Sequence, residues 1–350
     1  MLFSKKIKGY CAEFGEQSTL VARLSQFDAP LVVEELKEFA AADTESLRAW
    51  IDAAEGKGPM GHVHCCCGVY PAKRLVRRHT LDAKRTKEPT YFNELYSQQF
   101  RIEPDKYTLM VLNSADGSEI DATKSTQKDV LFCGLPSDEI VTLQDNLLEK
   151  GVYPERLELG TVALLGGLIN YLKFTQSRTP LLLLEMGDES TQSYILSADG
   201  VDISRPIASG TAAMIPLVQK ELGLKDEDSA RKLFFSNTFD FTSMGGTLVK
   251  KLLKELQSSI GFYEVQTGQS IGNVLCTQLP PALGWIGTTI SSSLGVSPFK
   301  AELGPWLESL SISVADGAAP GPLDERWIGL FSLIANHQNV VAATAAGEKG

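Results

Sequence analysis

Two short stretches of this sequence carry residue types that could handle a charged ligand. Glu13–Thr19 reads EFGEQST and Glu185–Thr191 reads EMGDEST. Each has a glutamate, an apolar residue, a glycine, an acid, an acid or amide, and then Ser-Thr. A glycine in a strand–turn–strand exposes backbone N–H groups that can cradle phosphate. An acid at the end of the preceding strand can hold Mg²⁺ or orient a water. Two such turns facing one ligand would clamp the phosphates of a nucleotide. The neighbouring charges argue the other way. Glu16 and Asp188 follow the glycines, where a small neutral residue would let phosphate approach. With Glu13 and Glu185 they put four carboxylates at one would-be anion site, and like charges ~4 Å apart repel by about 4 kcal/mol at an effective dielectric of about 20. The local sequence also fits a second reading: two ordinary hairpins with glycine chosen for a positive φ.

Two further clusters need weighing. His62-x-His64-x-Cys66 places alternate residues on one face of a strand, where two imidazoles and a thiol could meet Zn²⁺. Only His79 stands near as a further ligand, so a half-buried strand with cysteine as a small apolar residue is the expectation, and no metal. The run Lys73, Arg74, Arg77, Arg78, Lys84, Arg85, Lys87 suits either an anionic lipid or acidic partner, or a solvated face. No P-loop, G-x-S-x-G or H-E-x-x-H string is present.

The elements that would position these residues follow from apolar patterning. Strands are expected around Tyr10–Leu24, His62–Val69, Lys73–Thr80, Thr108–Asn113, Val130–Gly134, Pro154–Leu159, Leu181–Ile207 (three strands) and Ile271–Thr277. Helices are expected at Glu45–Ala54, Tyr91–Gln99, Ser137–Lys150 with Ser137 as cap, Thr161–Phe174, Thr211–Leu222, Asp226–Phe234, Thr247–Tyr263, Ala282–Leu294 and Glu325–Ala335. Gly166-Gly167 inside an apolar helix suggests close packing. Trp306–Val314 reads as extended. The matching of the two E-x-G hairpins suggests an internal duplication.

The chain has 350 residues, 43% hydrophobic and 22% charged, which suits a soluble α/β protein with two lobes. A net charge of -10 argues against nucleic acid as a partner. The apolar runs are too short and Gly-rich to span a bilayer. The lysine-containing start, MLFSKKIKGY, lacks an apolar signal core, and the six cysteines show no disulfide spacing, so a cytoplasmic protein with reduced thiols is expected.

Taken in order, several segments together resemble the PilM-like family of type IV pilus assembly proteins, whose relatives include the cytoplasmic domain of GspL and the division protein FtsA. MLFSKKIKGYCAEFGEQST resembles that family's first phosphate loop, and VHCCCGVYPAKRLVRRHTLDA its strand-Pro-strand segment. LEKGVYPERLELGTVALLGGL resembles the return to the first lobe. LLLLEMGDEST…VDISRPIASG resembles the second phosphate loop and the entry to the second lobe. KELQSSIGFYEVQTGQSIGNVLC and ERWIGLFSLI resemble later helices. The resemblance implies an actin-like (ribonuclease H-like) two-lobed α/β fold with a duplicated core and an inserted small subdomain. It implies a first lobe over 1–180 with the insertion at about 30–150, a second over 181–343, and a disordered tail over 344–350. It further implies a scaffold on the cytoplasmic face of the inner membrane. That scaffold binds the cytoplasmic N-terminal tail of a PilN-like membrane protein through a groove within residues 30–150, and meets the membrane only through partners.

The departures bear on activity. The family's phosphate loops carry Asp-x-Gly and then a small residue, whereas here Glu13 and Glu185 stand for Asp, with acids after each glycine. The family's Gly-Gly adenosine loop is replaced by Cys276-Thr277-Gln278-Leu279-Pro280-Pro281, which lacks the glycine that close backbone approach requires. By resemblance a degenerate nucleotide site would be lined by Glu13, Gly15, Ser18, Glu185, Gly187, Ser190 and Gly210. No catalytic residue and no cofactor are expected, with ATP and Mg²⁺ bound only if the loops are still competent. The alternatives are an active ATPase with Glu-based loops and an FtsA-like filament-forming protein.

Overall fold

A computed structural model describes residues 8–26, 30–58, 60–88, 90–124 and 126–336. The tail expected to be disordered, 344–350, lies outside them. The chain opens with an antiparallel meander: β1 (Gly9–Phe14), β2 (Ser18–Leu24) and β3 (Leu31–Ala40). β1 is buried nearly throughout, as a central strand covered on both faces should be. α1 (Thr44–Asp52) starts where the Asp43 carboxylate accepts the Ser46 amide at 3.0 Å. β4 (Val63–Val69) then runs parallel to β1.

An excursion follows: β5 (Leu75–Thr80), α2 (Tyr91–Glu94) continuing as a π-helical turn to Phe100, β6 (Tyr107–Asn113) and β7 (Asp129–Pro136). These strands form a separate antiparallel sheet, β5-β7-β6, closed by Leu75, Leu81, Tyr91, Leu95, Val130 and Phe132. The chain returns through α3 (Ser137–Glu149), β8 (Val152–Leu159) and α4 (Gly160–Phe174). Pro136, not Ser137, holds the α3 cap position. The Ser137 hydroxyl instead pairs with Thr108 Oγ1 at 3.1 Å.

The second unit begins with a meander of the same kind: β9 (Leu181–Met186), β10 (Thr191–Ser197) and β11 (Gly200–Ile207). A 3₁₀ turn (Thr211–Met214) leads into α5 (Ile215–Leu222), which Gly223 ends at φ 61°. α6 (Glu227–Phe234), α7 (Gly245–Leu248), α8 (Lys250–Thr267), β12 (Asn273–Thr277), α9 (Gly284–Leu294) and the short β13 (Ser297–Pro298) complete it. Leu252, Leu256, Ser259 and Tyr263 form the buried face of α8.

After Lys300 the chain rejoins the first unit. α10 (Leu303–Ser309) docks there through Trp306 Nε1, which donates to Asn170 Oδ1 at 2.8 Å. β14 (Ile312–Val314) adds in parallel to β3, and a last helix covers 328–336. The large sheets run β14-β3-β2-β1-β4-β8 and β11-β10-β9-β12-β13. With β14 set aside, both have the order third, second, first, fourth, fifth strand. This repeated topology is the duplicated core of an actin-like fold, and the three-stranded sheet is its insertion.

The divisions differ from those expected. One unit comprises residues up to Tyr171 and from Ala301 onward, the other Leu172–Lys300. The inserted sheet spans 75–136 rather than 30–150, because β3, α1, β4, α3 and β8 all belong to the first unit's six-stranded layer and its helices. Trp306–Val314 is helix and then strand, not extended throughout. Gly167 does mark close packing: a Cβ there would lie 2.7 Å from Ile328 Cγ2.

Candidate functional site

The two E-x-G hairpins have the same local construction. In the first, Glu13 faces Leu20, Phe14 faces Thr19, and Gly15 N donates to Ser18 O at 2.9 Å. In the second, Glu185 faces Gln192, Met186 faces Thr191, and Gly187 N donates to Ser190 O at 3.0 Å. Each glycine amide is therefore spent inside its own turn, whereas an anion cradle needs it aimed outward. Neither Gly15 nor Gly187 is among the described glycines with positive φ, so left-handed backbone is not what selects glycine there. Both glutamates are buried, Glu13 at 7% and Glu185 at 1% exposure.

What closes over the first glutamate comes from three distant parts of one unit. The Tyr70 hydroxyl donates to Glu13 Oε1 at 2.5 Å. Gly329, in the 328–336 helix, sits so close that a Cβ would lie 2.6 Å from Glu13 Oε2. Gly68 is the register partner of Glu13 on β4. Gly160, at the start of α4, lies under the Tyr70 ring, where a Cβ would be 2.2 Å from a ring carbon. The Arg74 guanidinium stands 5.4 Å from the centroid of the same ring, and its Nε donates to Thr161 Oγ1 at 2.8 Å. One strand further, Glu158 is in register with Gly68. Burial pushes the Glu158 carboxyl above the usual range, against the opposing pull of Arg156.

The second hairpin is closed locally. Thr211 N donates to Gly187 O at 3.1 Å and Ala212 N to Asp188 O at 2.9 Å. Gly210 abuts the turn so tightly that a Cβ would lie 2.4 Å from both carbonyl oxygens. The Asp188 carboxylate accepts the Thr211 hydroxyl at 3.1 Å and faces the Arg231 guanidinium at 3.5 Å. The amides at the head of this helical segment thus bind protein carbonyls, and the nearby negative charge is the protein's own. Ser190 lies in the turn, and its neighbour Thr191 donates its hydroxyl to Ser209 O at 2.8 Å.

The third loop keeps a tight bend without glycine. Gln278 takes φ 61°, a left-handed conformation that favours glycine, and Leu279 packs with Trp285 on the second unit's core. The Trp285 indole also stacks on Phe241 at 5.9 Å.

The other clusters dissolve. Cys66 is buried beside Cys11, His64 is exposed and lies 4.8 Å from the Tyr153 ring, and His62 Nε2 is 3.2 Å from Leu148 O. Among the described residues no group of three or more His, Cys, Asp or Glu could hold a metal ion. Cys133 is likewise a buried free thiol whose pKa burial pushes up to about 12. Five of the seven basic residues of the run are engaged: Lys73 on Glu139 at 3.8 Å, Arg74 on Thr161, Arg77 on Val76 O at 3.1 Å, Arg78 on Asp129 at 2.6 Å, and Arg85 on Glu88 and Glu94 at 3.1 and 2.8 Å.

One cavity of about 170 Å³ opens in the first unit beside the first hairpin. Phe14, Val69, Pro71, Leu143 and Leu147 give it apolar walls, and Glu16, Asn146 and Lys150 supply charge and polarity. It draws on the hairpin, on the crossing from β4 into the inserted sheet, and on α3. Tyr70, Arg74, Gly160 and Gly329 were missed as site residues from the sequence. The available signal was Tyr70, an aromatic residue with a polar tip just past a largely buried strand, which calls for a partner without naming it.

No family model matches the sequence, and no curated protein matches it. Among solved structures, the chain is similar to one in the PilM-PilN type IV pilus biogenesis complex, with a TM-score of 0.62 and 15% identity over 95% of this chain and 99% of that one. It is more weakly similar to a Bacteroides thetaiotaomicron protein with an actin-like ATPase fold and unknown function, at TM-score 0.43 and 7% identity over 95% and 98% of the two chains. A similar weak likeness, TM-score 0.39 and 8% identity over 95% of both chains, links it to the cytoplasmic domain of EpsL, an inner-membrane component of the type II secretion system of Vibrio cholerae. The likeness is one of fold, and it rests on the first of the three.

Proposed function

We propose that this chain is a PilM-like scaffold of a type IV pilus or type II secretion-like machine, with no nucleotide turnover of its own. The reading is carried by the end-to-end fold likeness to a chain of the PilM-PilN complex. In this reading the partner is the cytoplasmic tail of a PilN-like membrane protein, and the scaffold sits at the cytoplasmic face of the inner membrane; the likeness to a chain of the PilM-PilN complex supports the pairing. Among the described residues no helix is long and apolar enough to cross a membrane, in keeping with attachment through a partner. The tail docks in the first unit at the cavity beside the first hairpin, where apolar walls with one acid and one lysine suit an extended peptide bearing an apolar anchor.

The geometry of the loops supports the reading without turnover. Glu13 is held by Tyr70 and covered by Gly329, and the second hairpin's carbonyls and carboxylate are bound by Thr211, Ala212 and Arg231. Groups engaged in this way speak against a place for ATP and Mg²⁺. Calorimetric titration decides both halves. A synthetic peptide of the neighbouring single-span membrane protein's tail should bind saturably, and ATP with Mg²⁺ should give no heat. A chain that ignores every such tail is not this scaffold. One that binds and hydrolyses ATP is an enzyme.

A further inference from the structure

We infer that Tyr70 is a positioning residue: its bond to Glu13 clasps the crossing into the inserted sheet to the first hairpin, and so fixes the cavity beside them without any nucleotide. The inserted sheet joins the six-stranded sheet by two crossings, residues 70–74 after β4 and the Pro136-Ser137 step into α3. The second crossing is held at the surface. Thr108 and Ser137 share a 3.1 Å hydroxyl pair, and Lys73, with its side chain 70% exposed, reaches Glu139 at 3.8 Å. Exposed pairs of this kind restrain weakly. The first crossing is built differently. Tyr70 is 5% exposed and bonded to a buried carboxyl, its ring is sandwiched between Gly160 and Arg74, and Arg74 in turn donates to Pro71 O at 3.0 Å and to Thr161.

Two glycines are needed for this. Any side chain at Gly160 would displace the ring, and any at Gly329 would displace the Glu13 carboxyl. The bond therefore joins β1, the first crossing, α4 and the 328–336 helix at one point. On one wall of the cavity Phe14 and Gly15 follow Glu13 in the chain, and on another stand the bonded Tyr70 itself and Pro71 after it. Their separation is set by that bond. A ligand bridging loops would otherwise have to supply the restraint; here a tyrosine does so permanently.

The test is amide hydrogen exchange on the full chain, comparing the parent with Tyr70→Phe and Glu13→Gln. Tyr70→Phe keeps the ring on Gly160 and under Arg74 and removes only the hydroxyl. Exchange across 70–75 and 134–138 should accelerate by roughly tenfold or more, with β9 and β10 unchanged. Glu13→Gln leaves an oxygen to accept the hydroxyl, so its exchange should fall between the two. Addition of ATP with Mg²⁺ should not restore protection. Uniform acceleration through both large sheets would make Tyr70 a general stabiliser and overturn the proposal, as would unchanged exchange at both crossings.

The consequence for the partner rests on the scaffold reading, and is read separately. Tail peptide affinity should fall about tenfold in Tyr70→Phe. If the crossings respond but the parent binds no tail, the clasp stands and the scaffold reading fails. If the parent binds and Tyr70→Phe binds equally well, the clasp does not set the cavity and the proposal fails.

Discussion

The two E-x-G hairpins share a turn and differ in everything that closes them. In the first, the acid before the glycine is bonded by Tyr70, which lies 57 residues away in the chain. In the second, the acid after the glycine is bonded by the Thr211 hydroxyl 23 residues on. The neighbours in register differ as well: Gly68 beside Glu13, Thr277 beside Glu185. Duplication preserved the strand order and the turn. The surroundings then stabilised each turn separately, one through a buried long-range bond and the other through its own succeeding helix. In both hairpins the glycine amide donates to a carbonyl of its own turn.

Substitutions sharpen this contrast, and the largest effect belongs to the second hairpin. Gly210→Ala places a Cβ against two backbone carbonyls, which cannot swing aside. A loss of about 3 kcal/mol or more in denaturant unfolding is expected. Gly160→Ala meets a side-chain ring instead, so a loss of about 1–3 kcal/mol is expected, with Tyr70 displaced. If the order of the two reverses, the first hairpin is the more rigidly enclosed. Tyr70→Phe should cost about 1–3 kcal/mol, the range for taking a hydrogen-bond partner from a buried polar group. Asp188→Asn should cost less than about 1 kcal/mol, because that carboxylate is 53% exposed and its ion pair is screened. Equal costs for these two would erase the distinction between buried and local closure.

The smallest expected effect tests the carboxyl beyond Gly68. The folded Glu158 carboxyl titrates above its ordinary range through burial. The native state therefore binds more protons than the unfolded chain between the two values, and stability falls as pH rises through that window. Glu158→Gln should gain stability relative to the parent at neutral pH and show no gain below the ordinary carboxylate range. Melting curves at several pH values check the sign. A gain that persists in acid would mean the effect comes from packing rather than charge.

Much of this was legible in the sequence, and the failures have physical causes. The hairpins were readable because each strand is a short apolar run between Gly and acidic turn residues. β3 was not, because LVVEELKEFA becomes charged and exposed toward its end, as an outer strand does before β14 is known to pair with it. α10 was hidden because Gly304-Pro305 sits in its first turn, where proline is tolerated but reads as a breaker. The acids flanking each hairpin glycine were visible directly. The residue that holds the first one closed was not, because contacts between residues 13, 70, 160 and 329 leave no local pattern.

The first unit is interrupted in sequence by the whole of the second. During synthesis the ribosome releases residues 172–300 before it has made β14 or Gly329, and units tend to fold as they emerge. The second unit is thus free to mature early, while β3 waits with an unpaired edge and Glu13 waits for its cover. In the nascent chain the earlier-made unit is the last to be finished.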